Sequence, residues 1–226
     1  MLVFATNCSW YRGDAWDNNL CSCILRSRRT DCRVTISILH ISDLHCDSVN
    51  STRNRVLLDS LERDRDRYTS QESPHIKSPD LIIVSGDIIQ GVKHETLCAE
   101  ANLRKQYDVA LSFLNSLTDR FADGNKQLIV IIPGNHDVSD YHFRQSLEPI
   151  DISSSAKREL VTQLFTPESR LRWSWSDFAL YDIVNSEMYE QRFAAFSDFY
   201  NKFYNGVRSF PTDPAKQFDI FDFYEF

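Results

Sequence analysis

Residues 34–45 read VTISILHISDLH, and this stretch decides the fold. Val34 to Ile41 is an unbroken apolar, β-branched run that stops at Ser42-Asp43, the pattern of a buried strand. Two later runs repeat it. Asp80 to Ser85 (DLIIVS) follows Pro79 and stops at Gly86-Asp87, and Gln127 to Ile132 (QLIVII) stops at Pro133-Gly134-Asn135-His136-Asp137. Between the first two runs lies a polar stretch with apolar residues at Val56, Leu57 and Leu61. It reads as a helix closing in the charged run ERDRDR, a solvated face. Between the second and third, Leu103, Tyr107, Ala110, Leu111, Leu114 and Leu117 keep a helical period up to a stop near Asp123-Gly124. The β-α-β-α-β order predicts right-handed crossovers and a largely parallel sheet covered by helices, an α/β fold.

Each of the three runs ends in a carboxylate, histidine or amide. Ligands of open α/β sheets bind beyond the carboxyl ends of the strands, and neighbouring parallel strands lie about 4.8 Å apart. Taken singly, Asp43 is a helix cap, Gly86-Asp87 and Gly134-Asn135 are turns, and His45 is a surface or packed histidine. Taken together, Asp43, His45, Asp87, Asn135 and His136 can converge into one cluster of oxygen and nitrogen ligands. Such a set suits manganese, iron or zinc and lacks the thiolates of a structural zinc site. Two such ions about 3.5–4 Å apart can clamp a phosphate and lower the pKa of a bound water.

His40-Ile-Ser-Asp43-Leu-His45, Ser85-Gly86-Asp87 and Pro133-Gly134-Asn135-His136-Asp137 resemble, in order, the first three motifs of the calcineurin-like metallophosphoesterases. The resemblance covers residues 34–140. It implies a metallophosphoesterase-type layered α/β sandwich, incomplete at the C-terminus of this sequence. By it, Asp43 and His45 bind the first of two divalent ions (Mn, Fe or Zn), Asp87 bridges both, and Asn135 binds the second. His136 and Asp137 are the implied catalytic pair. His136 lies near the scissile phosphate, stabilising it or protonating the leaving oxygen, and Asp137 holds that region through hydrogen bonds behind the ligands. The pieces Ser-Asp-Leu-His-Cys, Gly-Asp-Ile-Ile-Gln-Gly and Gly-Asn-His-Asp are closer to the bacterial-type phosphodiesterases and nucleases than to the protein Ser/Thr phosphatases. The resemblance thus implies metal-dependent hydrolysis of a phosphoester, a phosphodiester in particular, with nucleotides or nucleic acid among the candidate substrates.

The family also uses a later single histidine and a Gly-His-x-His. Here the histidines are His40, His45, His75, His94, His136 and His142, and none follows. His75, His94 and His142 read as surface residues rather than substitute ligands. Two expectations compete: an incomplete version of a longer enzyme, favoured by the aromatic ending Phe218 to Phe226, or a degenerate relative that acts in regulation. Too few strand patterns remain downstream for a second sheet.

The flanks differ from the core. Residues 1–33 hold Cys8, Cys21, Cys23 and Cys32 at spacings that fit a zinc knuckle poorly, and are expected to be a disordered or spurious leader. Residues 34–150 form the N-terminal half of the domain. Residues 151–226 read as an aromatic-rich, largely helical cap or insert. There Tyr189, Phe193, Phe196, Tyr200, Phe203 and Tyr204 keep helix spacing up to Gly206, either as a packed face or as a binding module. With 25 basic and 32 acidic residues the chain carries a net charge of −7, which argues against a protein that coats nucleic acid. No apolar run spans a bilayer and MLVFAT is too short for a signal-peptide core, so no membrane partner and a cytoplasmic location are expected.

Overall fold

The computed structural model describes residues 3–10, 34–47, 51–151, 169–175 and 177–210, with isolated positions at 162, 164 and 166. Its main sheet is built from β1 (Val3–Trp10), β2 (Val34–Ile41), β3 (Leu81–Ser85) and β4 (Ile129–Ile132), hydrogen-bonded in that order. The pairs β2–β3 and β3–β4 are parallel, with Ile38 opposite Leu81 and Ile82 opposite Ile129. The three expected strands and their order are therefore present. Val3–Trp10 lies inside the segment expected to be a leader, yet it pairs antiparallel with β2 from Val3–Ile41 to Trp10–Val34. Its neighbours 11–33, with Cys21, Cys23 and Cys32, lie outside the described residues.

Helix α1 (Ser51–Ser70) connects β2 to β3, and α2 (Ala99–Phe121) connects β3 to β4. Both bury an apolar stripe on one face of the sheet. Leu103, Tyr107, Ala110, Phe113, Leu114, Leu117 and Phe121 of α2 are buried, at the i, i+3/i+4 spacing of a core-facing helix. On α1 the buried leucines are Leu58 and Leu61, whereas Val56 is 58% exposed, so the apolar face is rotated from the expected one. The ERDRDR run faces outward, with Arg65 and Arg67 paired to nearby carboxylates. Leu39 and Ile41 from β2, Ile82 and Val84 from β3 and Ile129 and Ile131 from β4 meet these helices in one core. The opposite-facing Ile36, Ile38, Ile83 and Ile132 are only half-buried.

Beyond β4 the chain forms α3 (Asp140–Gln145), β5 (Leu147–Ile150), β6 (Leu171–Ser174), β7 (Ala179–Ile183), α4 (Ser186–Gln191) and α5 (Ala194–Tyr204). The strands make a second, antiparallel sheet in the order β5-β7-β6, which corrects the expectation that no second sheet could form. The aromatic segment also differs from one continuous helix, because it breaks at Arg192–Phe193 between α4 and α5. Phe196, Phe199, Tyr200, Phe203 and Tyr204 are buried in the core cluster. Tyr107 stacks on Phe199 at 4.9 Å, and the Tyr204 hydroxyl donates to the Ile129 carbonyl at 2.7 Å. The packed-face alternative is what the structure shows, and the aromatic face is withdrawn from solvent. No helix of the described residues is long and apolar enough to cross a membrane.

Candidate metal centre

Past their last ladder bonds, β2 and β3 continue side by side in irregular backbone. Asp43 N–H donates to the Gly86 carbonyl at 3.3 Å, His45 N–H to Asp87 at 2.9 Å and Cys46 N–H to Ile88 at 2.8 Å. This pairing forces several residues into the left-handed region: Asp43 at φ 55°, His45 at 48°, Gly86 at 76° and Asp87 at 51°. Such backbone is costly for residues other than glycine and is characteristic of functional sites. It gathers Asp43, His45 and Asp87 so that one ligand atom from each lies within 4.8 Å of the others. Asp43 is exposed and the other two are half-buried.

The β4 tip closes on this group. Gly86 N–H donates to the Ile132 carbonyl at 2.8 Å. Asp87 Oδ1 accepts the backbone N–H of His136 at 3.1 Å, and the rings of His45 and His136 meet edge to face at 4.9 Å. Asn135, one residue earlier, is exposed at the same tip. The structure thus brings Asp43, His45, Asp87 and His136 together.

Asp137 stands behind them. It is fully buried, and its carboxylate accepts N–H groups from Gly134 at 2.8 Å, Ile88 at 3.2 Å and Ile89 at 3.4 Å. The Tyr107 hydroxyl donates to the Asp137 carbonyl at 3.0 Å. Burial pushes the Asp137 carboxyl up to about 6, against the opposing pull of the three N–H donors. Through these bonds Asp137 ties the β3 and β4 loops together.

Three of the other four histidines have local partners, His40 Nε2 lying 2.6 Å from Ser85 Oγ. His94 Nδ1 lies 2.8 Å from Asp140, His142 Nδ1 lies 2.9 Å from Ser139 at the start of α3, and His75 is exposed. Sequence reading missed Gln90, Gly91, Gln106 and Tyr107, which contact the His136–Asp137 loop or hold what does. Gly91 alone left a signal, as an isolated glycine beyond a strand tip. A cavity of about 290 Å³ between α1 and β2, lined by Leu39, Leu57, Leu61, Tyr68, Ile76 and Phe121, shares no residue with the strand tips.

The residues present fit a divalent ion. Two carboxylates and an imidazole are the donors that manganese, iron and zinc accept. Nδ1 of His45 is buried with no hydrogen-bond partner, a state that costs about 1–3 kcal/mol unless something takes the nitrogen.

The model of the calcineurin-like phosphoesterase family matches residues 36–215, a span that takes in the second sheet, α4 and α5. No curated protein matches the chain. A parallel sheet whose tips gather acids and histidines, over a match that covers most of the sequence, has one reading: the chain belongs to the calcineurin-like phosphoesterase family, whose members are metal-dependent hydrolases of phosphoesters.

Proposed function

We propose that this chain hydrolyses phosphodiesters at a centre of two divalent ions, with the bacterial-type phosphodiesterases and nucleases as its nearest functional kin. The observation that carries the reading is the convergence of Asp43, His45 and Asp87 within 4.8 Å, with His136 against them. Asp43, His45 and Asp87 would hold the first ion, with Asp87 shared, and Asn135 would hold the second. Ions bound there supply Lewis acidity toward the phosphate oxygens and a water of lowered pKa.

The protein's own groups do the rest. Asp87 both offers a carboxylate to the centre and accepts the His136 N–H, so one residue fixes the spacing between the ligands and the histidine. His136 Nδ1 is held by the Gln90 carbonyl at 2.6 Å. Its other ring nitrogen, Nε2, is left to face the phosphate, and in the doubly protonated ring, where both nitrogens carry hydrogen, it can hand a proton to the leaving oxygen. Asp137 keeps the loop in register from behind.

The test is hydrolysis of a bis-aryl phosphodiester, an aryl phosphomonoester and a single-stranded DNA oligonucleotide with Mn²⁺, together with metal content per chain. Diesterase activity abolished by EDTA and lost in Asp87→Asn and His136→Gln supports the reading. Two bound ions per chain support the two-ion centre.

A second reading, a regulatory relative with a single ion, draws on one feature of the sequence: no histidine follows His142. One ion per chain without turnover of any of the three substrates favours it.

A further inference from the structure

Gln106 on α2 and Gly91 in the loop after β3 are joined by both ends of one carboxamide. Gln106 Oε1 accepts the Gly91 N–H at 3.0 Å, and Nε2 donates to the Gly91 carbonyl at 3.4 Å. Gly91 has a φ of 77° and lies directly against His136. A Cβ added there would come within 3.1 Å of the His136 carbonyl oxygen and 3.2 Å of its Nδ1. The preceding residue, Gln90, presents its carbonyl to the same Nδ1 at 2.6 Å.

A carbonyl only accepts, so this contact assigns the hydrogen to Nδ1, and in the neutral ring the lone pair sits on Nε2. The tautomer of His136 is therefore set by the Gln90–Gly91 turn. That turn is irregular backbone, and the side chain that grips Gly91 belongs to Gln106. The adjacent Tyr107 bonds Asp137, so two consecutive residues of α2 brace both sides of the loop that carries His136.

We propose that Gln106 is a positioning residue for His136: through Gly91 and the Gln90 carbonyl it selects the Nδ1–H tautomer and the ring orientation. The catalytic consequence rests on the reading of His136 as the residue beside the reacting phosphate. The tautomer itself does not. Removal of the carboxamide frees the turn, and the ring can then take either tautomer.

The test uses the full chain labelled with ¹⁵N and stripped of metal, with the His136 ring signals assigned by their loss in His136→Gln. The wild type is expected to show one tautomer, protonated at Nδ1. Gln106→Leu, which keeps the bulk and loses both bonds, is expected to show a mixture, and Gln106→Glu, which keeps the acceptor for the Gly91 N–H, to restore the wild-type signature. With Mn²⁺ and the aryl diester, Gln106→Leu is expected to lower kcat about tenfold at unchanged KM, the scale of a small misplacement, with rescue by Gln106→Glu. Should Gln106→Leu fail to fold, Gly91→Ala pushes the same ring by contact and is expected to disturb the same signals. A wild-type ring protonated at Nε2, or a signature unchanged in folded Gln106→Leu, overturns the proposal. A tautomer shift in Gln106→Leu, where the wild type itself turns over no substrate, supports Gln106 as the anchor of the ring and overturns the hydrolase reading instead.

Discussion

Gly134 sits so close to Asp87 that a Cβ at position 134 would overlap the Asp87 carboxylate and backbone nitrogen and come within 2.8 Å of Gly86 Cα. The β3 and β4 tips are thus in backbone contact, and that contact lets Asp87 reach the His136 N–H. Gly134→Ala is expected to separate the tips. The overpacking should cost about 1–3 kcal/mol in urea unfolding with EDTA present, and Mn²⁺ affinity by titration calorimetry should fall at least about tenfold. A folded Gly134→Ala chain with wild-type Mn²⁺ affinity would show that the contact does not set the ligand geometry.

Metal binding should appear in stability as well as in activity. An ion that binds only the folded chain stabilises it by about 2.7 kcal/mol at a free concentration one hundred times Kd. Thermal unfolding of the wild type is expected to shift upward with Mn²⁺. The shift should vanish in Asp87→Asn, which removes a carboxylate from the Asp43–His45–Asp87 group. It should persist in His75→Gln, whose histidine is exposed and apart from the group. An equal Mn²⁺ shift in Asp87→Asn would place the ion elsewhere.

Asp137 gives the centre a pH dependence that can be read without metal. Its carboxyl titrates near 6 in the folded chain against 3.8 as its ordinary value, because burial disfavours the charge. The folded state therefore holds this proton more tightly than the unfolded state. The resulting stability is fully present below about pH 4 and is lost as pH rises through about 6, on the order of 3 kcal/mol over the window. In EDTA, the unfolding free energy of the wild type relative to Asp137→Asn is expected to fall between pH 4 and pH 7 and then level off. A difference that rises across this window would mean that the N–H donors of Gly134, Ile88 and Ile89 outweigh the burial.

The residues that gather at the strand tips, Asp43, His45, Asp87 and His136, were legible because they follow strands. An apolar run that ends in Asp, Gly-Asp or Gly-Asn-His announces both the strand and its tip, and parallel order brings the tips together. The braces were not legible. Gln106 and Tyr107 sit at ordinary positions of a helical pattern, and their partners Gly91 and Asp137 are 15 and 30 residues away, contacts that leave no periodic trace. The second sheet was hidden for a different reason. Its strand β5 reads Leu-Glu-Pro-Ile, where proline and glutamate hide the alternation, and only the pairing of Ile150 with Leu180 and of Leu147 with Ile183 gives it a strand's form. The break at Arg192–Phe193 was masked by aromatics that keep helical spacing straight across it.

That spacing has a cause in the core, and Phe196→Ala tests it. Phe196 is fully buried, 4.9 Å from the ring of Phe210, 5.9 Å from Phe199 and 6.2 Å from Tyr107. Its removal leaves a cavity between α2 and α5 that neighbouring rings cannot close, with an expected loss of about 3–5 kcal/mol in chemical denaturation. The side chains of Asp43, His45 and Asp87 lie outside this cluster, so the fraction that remains folded should carry wild-type Mn²⁺ per chain. A surface role for the aromatics predicts the opposite pattern, unchanged stability with altered association on size-exclusion chromatography. Tyr204→Phe separates packing from hydrogen bonding in the same cluster. It keeps the ring and drops the bond to the Ile129 carbonyl, and a loss of about 1 kcal/mol is expected. A loss as large as that of Phe196→Ala would mean that the hydroxyl, and not the ring, anchors α5 to the edge of β4.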